Sequence, residues 1–440
     1  MTGVLVVGTT KNSILATVDV TKYKSVRDLY ERLLSLKKDV YQDHERIVIV
    51  YSSLLPNTKK LLDELLLAID IPEYFITFDA VNYKEDDSLD FKFSPSFCIY
   101  PWINFEVGNF GEIKPCCKFD DYIPDVNITH SNLKDVYLGD YMKSLREQFT
   151  NGEYPSPCSK CWKEEQIGMP SLRQLSKHKF REIYYQLDYQ ADNFNNLQIF
   201  DLKLGNSCNL TCNICDARNS SKIADQQHAE GQISQSLYTE IKRAVNWADT
   251  DHFWDQLLTT VDNLKYLDLY GGEPLMSKKH FVFLKKLIDL GVAGNIKIDY
   301  NTNGTIYSDH FFDLWQEFKE VKLSFSIDDI EDRFEAQRVG ASWDLVCANI
   351  KKYNSRTSDK FITEIFPTIN TQNVFWLPEL LEWATKQKFN HISFNLLHIP
   401  KNYNILTLPR EDKLAIVKKL KQFSHYDICN SIVSLIGCDE

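Results

Sequence analysis

Apolar and polar positions alternate in a regular pattern from about residue 195 to residue 400. Short apolar stretches suited to buried β-strands are separated by stretches in which apolar residues recur every three or four positions, as in amphipathic helices. The predicted strands are residues 197–204, 264–270, 296–301, 321–327, 361–369 and 391–397, and predicted helices between them include 278–290, 308–319, 343–354 and 376–387. Six strand–helix units in succession are typical of a parallel barrel. We therefore expect an α/β protein built on a partial (β/α)6 TIM-like barrel.

The first 85 residues repeat this alternation on a smaller scale. The predicted strands are residues 4–7, 46–50 and 74–78, and the predicted helices are residues 25–38 and 57–69. This order predicts a small α/β domain with a mainly parallel sheet. Gly8-Thr9-Thr10 follows the first strand but is no phosphate-binding fingerprint. An accessory domain without chemistry is the favoured interpretation.

The stretch between these two regions is rich in cysteine. Residues 83–95 are polar and end in proline, which indicates a linker, and residues 96–170 hold five cysteines with several prolines and glycines. This composition is typical of a small domain held together by a metal. One helix is expected at 131–150 and another at 405–425. The expected domains are 1–88 (accessory α/β), 89–190 (cysteine-rich), 191–402 (barrel) and 403–440 (helical tail).

Composition excludes several classes of protein. Of 440 residues, 43% are hydrophobic and 25% are charged, as in soluble globular proteins. No apolar run approaches the ~20 residues of a membrane helix, and the start of the chain does not resemble a signal peptide. The expected location is therefore cytoplasmic, with no membrane partner. A net charge of −11 argues against binding to duplex nucleic acid.

Eight of the eleven cysteines fall into tight groups, which in a reducing compartment indicates metal or cluster ligands. Cys208, Cys212 and Cys215 have the spacing C-x3-C-x2-C directly after the first predicted barrel strand. Barrel enzymes place their active sites at this end of the strands. Three thiolates can hold three irons of a cubane and leave the fourth iron open. A zinc site or chance clustering of the cysteines is the alternative.

Polar residues alternate with apolar ones in the later predicted strands. They are Ser324, Ser326 and Asp328 in the fourth strand, Glu364 and Thr368 in the fifth, and His391, Ser393 and Asn395 in the sixth. In a barrel covered by helices, the polar set faces the interior. Glu364, His391, Ser393 and Asn395 are therefore candidate catalytic residues. The alternative is that some of these strands are half-exposed edges.

The cysteine motif, together with Gly271-Gly272-Glu273-Pro274 at the end of the next strand, resembles the radical S-adenosylmethionine (radical SAM) superfamily. The resemblance implies a [4Fe–4S] cluster on Cys208, Cys212 and Cys215, with SAM chelated to its open iron. It further implies reductive cleavage of SAM to a 5′-deoxyadenosyl radical that abstracts hydrogen from the substrate. A reducing partner such as flavodoxin or ferredoxin would supply the electron.

The same resemblance assigns SAM-binding residues. Gly271, Gly272, Glu273 and Pro274 form the motif that receives the SAM amino group, and Asn303 is a candidate contact. Ser326 and Asp328, on one strand face with Ser324, match positions that hold the ribose. Arg338 resembles a basic residue near the SAM carboxylate. A structural ion pair is the alternative for Asp328 and for Arg338.

The second cysteine group has the spacing Cys98-x12-Gly111-x4-Cys116, followed by Cys117 and by the pair Cys158 and Cys161. It resembles the auxiliary-cluster domains called SPASM and twitch, although in most relatives that domain follows the barrel. The resemblance implies one auxiliary [4Fe–4S] cluster on Cys98, Cys158, Cys161 and either Cys116 or Cys117, with Cys116 favoured by the spacing. Zinc suits the spacing equally well.

The resemblance implies a radical SAM enzyme that oxidises or cross-links a peptide. Radical modification of a small molecule, such as a sugar, nucleotide or cofactor precursor, is the alternative. An iron–sulfur electron carrier or a zinc-organised scaffold is the non-enzymatic alternative. Cys347, Cys429 and Cys438 stand alone in the sequence and are expected to be buried apolar residues.

Overall fold

The computed structural model divides into two compact units, residues 1–94 and 95–440. The residues that it describes are 4–9, 13–19, 48–51, 94–166, 171–187, 189, 193–244 and 246–437. The predicted helices 25–38 and 57–69, the predicted strand 74–78 and Cys438 lie outside the described residues.

The first unit contains an antiparallel sheet of three described strands. They are β1 (Val4–Thr9), β2 (Ser13–Asp19) and β3 (Val48–Tyr51), in the order β2-β1-β3. Both β2 and β3 pair antiparallel with β1, so the prediction of a parallel sheet is wrong for these strands. The second strand, which the sequence pattern did not predict, follows β1 after only three residues, and a connection that short cannot make a parallel crossover.

The second unit contains the barrel strands and the cysteine-rich segment. Its strands are β4 (Asn104–Val107), β5 (Ile113–Lys114), β6 (Ile199–Lys203), β7 (Tyr266–Tyr270), β8 (Lys297–Thr302), β9 (Glu320–Phe325), β10 (Phe361–Ile365), β11 (Thr368–Ile369), β12 (His391–Ile392) and β13 (Asn395–Leu396). The eight-stranded sheet has the order β12-β10-β9-β8-β7-β6-β4-β5. All neighbours in it are parallel except β4 and β5, which form a hairpin. The predicted partial barrel is confirmed.

The helices of this unit follow the predicted alternation. They are α1 (Tyr100–Ile103), α2 (Leu133–Leu138), α3 (Asp140–Thr150), α4 (Ser159–Gln166), α5 (Leu172–Lys179), α6 (Arg181–Gln186), α7 (Ser221–Ala229), α8 (Gln235–Arg243), α9 (Asp251–Leu257), α10 (Lys279–Asp289), α11 (Asp309–Trp315), α12 (Glu331–Gln337), α13 (Trp343–Asn354), α14 (Leu377–Lys386), α15 (Arg410–Leu420) and α16 (Asp427–Ile436). Within the described ranges, none of the helices combines the length and the apolar character that crossing a membrane requires.

Aromatic contacts show which face of the sheet meets the helices. The Phe200 ring of β6 lies 6.4 Å from the Phe253 ring of α9, measured between centroids. The Tyr300 ring of β8 lies 5.4 Å from the Trp315 ring of α11. Because successive side chains of a strand point to opposite faces, their polar neighbours point to the inner face of the sheet.

Three predicted elements are interrupted. The predicted strand 361–369 ends at Ile365 and resumes as β11, and the predicted strand 391–397 divides into β12 and β13. β11 and β13 form a separate two-stranded sheet. Pro367 has no N–H to donate to a ladder, which accounts for the first break. The predicted helix 131–150 divides at Gly139, whose backbone is extended.

The cysteine-rich segment continues the barrel sheet. β4 pairs in parallel with β6, and Asn104 to Val107 lie opposite Ile199 to Leu202. The hairpin turn between β4 and β5 is closed by a hydrogen bond from Gly108 N to Glu112 O at 2.7 Å, and Gly111 has a φ of +89°. The two strands therefore form a short ribbon that is joined directly to the first barrel strand.

Candidate functional site

The loop after β6 carries Cys208, Cys212 and Cys215 at the carboxyl end of that strand, and all three thiols are half-buried. Two backbone hydrogen bonds fix the loop against the last residue of α12 and the segment that follows it. Thr211 N donates to Val339 O, and Asn213 N donates to Gln337 O, each at 2.9 Å. The three thiols are therefore held on a structured loop at the end of the barrel where parallel barrels bind substrates.

Gly271 and Gly272 allow the turn after β7 to pack closely against the cysteine loop. Both have positive φ values, +81° and +51°. A Cβ atom on Gly272 would lie 2.3 Å from the carbonyl oxygen of Ser207, and Glu273 N donates to that same oxygen at 2.8 Å. Glycine is required here because the backbone is left-handed and no side chain fits. Glu273 is the next residue, so this packing also fixes the position of its backbone.

Glu273 is 2% exposed and accepts three hydrogen bonds. Its Oε1 accepts from Thr302 Oγ1 at 2.8 Å and from Leu275 N at 3.2 Å, and its Oε2 accepts from Asn303 N at 2.8 Å. Burial raises the pKa of Glu273 to about 7, against the effect of these donors and of the Arg338 charge. A cation bound beside this carboxylate would favour its ionised form. Pro274, also buried, opens the short turn that follows.

Asn303 connects the end of β8 to the cysteine loop. Its Nδ2 donates to Asn209 Oδ1 at 2.9 Å, and Asn209 Nδ2 donates to Thr305 Oγ1 at 2.9 Å. Asn209 lies immediately after Cys208. The structure therefore brings the predicted contacts Glu273 and Asn303 together with the cysteine loop.

Arg338 lies between the cysteine loop and Asp328. Its Nη2 is 2.8 Å from Asp328 Oδ2, and its Nη1 is 4.0 Å from Cys212 Sγ. The other Asp328 oxygen accepts from Thr368 N at 2.8 Å. Asp328 and Arg338 thus form an ion pair, which was one of the two roles that the sequence analysis left open for them. The same arginine lies beside Cys212, a predicted cluster ligand.

The chemistry of this group fits a thiolate-bound cluster. Burial raises the pKa values of the Cys208 and Cys212 thiols, and the Arg338 charge opposes that rise for both. Burial also raises the pKa of Cys215 to about 12. Iron bound here would take the place of the thiol protons, and Arg338 would provide a positive charge beside the resulting Cys212 thiolate.

A second polar group lies on the inner face of the sheet around Glu364. Its carboxylate accepts hydrogen bonds from the Ser324 hydroxyl, at 2.7 Å, and from the Ser393 hydroxyl. Lys322 Nζ is 3.3 Å from Glu364 Oε2 and 3.3 Å from Asp299 Oδ2. Burial opposes ionisation of Glu364, but Lys322 and the two hydroxyls hold its pKa below the ordinary value. Ser324 therefore belongs to this group.

Three other residues predicted from the sequence are His391, Ser326 and Asn395, and they differ in position and burial. His391 lies opposite Glu364 in the β10–β12 register, and burial lowers the pKa of its imidazole. Ser326 is half-buried, and its backbone N donates to Thr302 O at 2.9 Å. Asn395 is exposed and lies in the small β11–β13 sheet, so the structure does not bring it into the Glu364 group.

The sequence analysis missed a row of carboxylates across the inner face of the sheet. Asp201, Asp268 and Asp299 lie side by side in the registers of β6, β7 and β8, and Glu106 of β4 lies opposite Asp201. Each aspartate is the third residue of its strand, between apolar neighbours. That recurrence was the signal available in the sequence. We call these four residues the carboxylate row.

Replacing Asp268 by Asn is expected to change how stability depends on pH. Burial and the like charge of Asp299 raise the pKa of Asp268 to about 7, against Lys179 and Lys322. The folded protein therefore retains a proton here that the unfolded chain releases near pH 4, so this group's stabilising contribution is lost as the pH rises from about 4 to 7. The variant should gain about 2–4 °C in Tm relative to wild type at pH 8.5, and less at pH 6.

Thermal unfolding of both proteins at the two pH values measures this difference. Asp359→Asn removes an exposed carboxylate just before β10 and serves as the control, for which no pH-dependent difference is expected. An equal Tm difference between Asp268→Asn and wild type at pH 6 and pH 8.5 would contradict the prediction.

The other cysteine group surrounds a single cavity. The cavity is lined by the thiols of Cys98, Cys116, Cys158 and Cys161. Cys117 is exposed and does not line it. Of the two adjacent cysteines between which the sequence left a choice, the structure therefore places Cys116 with the other three. We call this group the four-cysteine site.

The four-cysteine site has the donor set of an iron–sulfur cluster. Its lining also includes Lys118 and Arg173, both cationic, with Tyr100, Phe119, Phe149 and Leu172 completing it. Four cysteines placed around a cavity and beside positive charge suit a cubane, in which each thiolate ligates a different iron, and four thiolates are also the ligand set of a structural zinc ion.

The lone cysteines differ from one another in exposure. Cys429, on α16, is buried as expected, whereas Cys347, on α13, is half-exposed. Neither lines the four-cysteine site.

Comparison with known proteins agrees with this geometry. Residues 202–384, which run from β6 into α14, match the family described as the radical SAM superfamily. The match spans 183 of the 440 residues, so the barrel region of the chain is similar to a radical SAM domain. This class of domain implies a [4Fe–4S] cluster and SAM.

Individual relatives are more distant. An uncharacterized protein of Methanocaldococcus jannaschii is 25% identical over 237 residues, which are 51% of this chain and 72% of that protein. The structure of anSMEcpe with bound AdoMet and Cp18Cys peptide is 15% identical with a TM-score of 0.38, and the match covers 53% of this chain and 61% of that one. Streptococcus suis SuiB bound to S-adenosylmethionine is 13% identical with a TM-score of 0.38, covering 75% of this chain and 69% of SuiB.

Proposed function

We propose that this protein is a radical SAM enzyme that carries two [4Fe–4S] clusters and oxidises or cross-links a peptide between them. Cys208, Cys212 and Cys215 would hold the SAM-binding cluster. The four-cysteine site, on the segment whose strand β4 is hydrogen-bonded to β6, would hold the second. The observation that carries this proposal is the convergence of four thiols on one cavity in the compact unit that also contains the radical SAM domain.

The chain's own residues prepare the SAM site. When bound, the cluster and SAM supply a radical able to remove a hydrogen atom from an unactivated C–H bond. Glu273 would accept the SAM ammonium as a charge-assisted hydrogen bond, and Asn303, beside it, would contact the same ligand. Arg338 would attract the SAM carboxylate while keeping its pairing with Asp328.

The inner face of the sheet offers groups that move a proton. Asp268 has a pKa of about 7, raised by burial and by Asp299, so it exchanges a proton readily near neutral pH. Glu364 stays ionised because Lys322 and two hydroxyls stabilise its charge, so it suits orientation of a substrate donor. We propose Asp268 as the proton acceptor and Glu364 as a substrate-orienting residue.

The net reaction depends on whether the second cluster accepts an electron. Four thiolates leave no open iron, so that cluster would supply an electron acceptor or a structural support, and binding of substrate to its iron is excluded. We propose that the second cluster accepts an electron. A substrate that gives up a hydrogen atom, a proton and an electron is oxidised by two electrons overall, as in a dehydrogenation or a new bond.

Product mass and cofactor use test this proposal. Reduced enzyme and SAM, tested with short peptides that include any encoded beside this chain's gene, should give a product about two hydrogen masses lighter than the peptide consumed, with one 5′-deoxyadenosine per product. A product with the same mass as its substrate would rule out oxidation. Turnover of a sugar or nucleotide in place of every peptide would favour the small-molecule alternative.

Cys158→Ala should separate the roles of the two clusters. The variant is expected to keep about four irons and to form 5′-deoxyadenosine, because Cys208, Cys212 and Cys215 are intact, but to form no product. Iron content, 5′-deoxyadenosine and product mass are the three measurements. Cys117→Ala is the matched control and should retain full iron and activity, since Cys117 lies outside the cavity. If Cys158→Ala still makes product at the wild-type rate, the second cluster takes no part in the reaction.

A further inference from the structure

Arg173 makes an unusually complete set of contacts behind the four-cysteine site. Its Nε and Nη2 donate to the two oxygens of Glu165, at 3.0 and 2.6 Å. Its Nη1 donates to the carbonyl oxygens of Pro95 and Phe97, at 2.6 and 3.0 Å. The guanidinium carbon lies 5.0 Å from the centroid of the Trp162 ring. Every nitrogen of the guanidinium is therefore engaged with protein.

These contacts join the segments that carry three of the four thiols. Phe97 directly precedes Cys98, and Glu165 and Trp162 lie on α4, which contains Cys161 and begins immediately after Cys158. Arg173 itself lines the cavity from α5. One side chain thus connects both ligand-bearing segments and adjoins the space between them.

The charge of Arg173 is also the less screened of the two cations that line the cavity. The Arg173 side chain is 4% exposed, whereas Lys118 is 34% exposed and pairs with Glu164 at 2.7 Å. Arg173 lines the cavity and Glu165 does not, so the positive end of this pair faces the cavity. At Cys161, which lies on the same helix as Glu165, burial raises the pKa of the thiol, and the negative charge of Glu165 acts against that of Arg173 on the same pKa.

We propose that Arg173 is a positioning residue for the second cluster, holding its ligand segments together and raising its reduction potential. A nearby positive charge stabilises the reduced, more negative form of a cluster. This inference rests on the proposed auxiliary [4Fe–4S] cluster. It implies that Arg173 favours acceptance of an electron by this cluster, in addition to supporting the fold.

The test uses the full-length chain with Cys208, Cys212 and Cys215 replaced by Ala, so that a single cluster remains. In this background we compare Arg173, Arg173→Lys and Arg173→Met. The readouts are the midpoint potential, from a redox titration followed by electron paramagnetic resonance, and the rate of iron loss to a chelator. Lys160→Met is the matched control, because Lys160 adjoins Cys161 in sequence but its side chain is 50% exposed.

Arg173→Met should lower the midpoint potential and accelerate iron loss about tenfold or more, as expected for removal of a charged hydrogen-bonding group. Arg173→Lys should restore the potential but not iron retention, because one ammonium cannot reproduce the planar pairing with Glu165 and two carbonyls. Lys160→Met should change neither. A midpoint potential in Arg173→Met equal to that of the Arg173 protein overturns the proposal.

Glu165→Gln keeps the test decisive if Arg173→Met does not fold. It removes a negative charge and weakens the pairing, so the midpoint potential should rise while iron loss accelerates. An unchanged potential in Glu165→Gln also overturns the proposal. If the triple-alanine background holds zinc or no iron, the auxiliary cluster itself is refuted, which is distinct from a cluster that is present but insensitive to Arg173.

Discussion

Replacing Cys208, Cys212 and Cys215 by Ala is expected to abolish SAM cleavage and to remove about half of the bound iron. Anaerobically reconstituted wild type should hold about eight irons per chain, four for each cubane, and the triple variant about four. The reason is that the proposed SAM-binding cluster, with its open iron, would be held by this loop, whereas the four-cysteine site is built from other segments. Iron analysis and release of 5′-deoxyadenosine under reducing conditions measure the two effects.

Cys347→Ala is the control for the triple variant. Cys347 is half-exposed on α13, outside both cysteine groups, so its replacement should preserve eight irons and SAM cleavage. Full iron content in the triple variant would show that the SAM-binding cluster lies elsewhere. Four irons and one zinc in the wild type would instead identify the four-cysteine site as a zinc site.

Glu273→Gln is expected to weaken SAM binding about tenfold to hundredfold while leaving both clusters in place. The substitution keeps the size of the side chain but removes its charge, and loss of a charge-assisted contact costs roughly 1.5–3 kcal/mol. Gln retains one side-chain carbonyl oxygen. That oxygen can still accept the hydrogen bonds from Thr302 Oγ1 and Leu275 N, so the turn should be preserved. Anaerobic calorimetric titration with SAM measures the affinity, and iron analysis confirms that the clusters are present.

The exposed Glu317→Gln, which removes the same charge far from the cysteine loop in sequence, is the control and should bind SAM as wild type does. Wild-type affinity in Glu273→Gln would exclude Glu273 from the SAM site. Loss of iron in that variant would mean that Glu273 supports the cysteine loop through the turn after β7.

The order of the barrel elements could be predicted because their sequence signals are local. The predicted helix 343–354 coincides with α13, and the predicted strand 296–301 differs from β8 by one residue at each end. In these elements the spacing of apolar residues reports directly which face is buried. The cysteine motif and Glu273 could likewise be located, because each follows a strand whose end is clear from the sequence.

Features that depend on distant pairing could not be predicted in this way. Nothing in residues 104–107 indicates that they extend the barrel sheet, since their partner, β6, lies about ninety residues later. The carboxylate row was missed because each aspartate, taken alone, resembles an ordinary polar position in a strand. Only the registers of β6, β7 and β8 show that Asp201, Asp268 and Asp299 adjoin.

The parallel pairing of β4 with β6 bears on the order in which this chain can mature. During synthesis the thiols of Cys98, Cys116, Cys158 and Cys161 leave the ribosome before Ile199–Lys203 exists, so one edge of β4 has no strand to pair with while β5 covers the other. An uncovered strand edge invites association with other chains. A fragment that ends near residue 190 would leave that edge of β4 permanently unpaired, so the fragment would be prone to aggregate. Truncations intended to isolate the four-cysteine site should therefore retain β6.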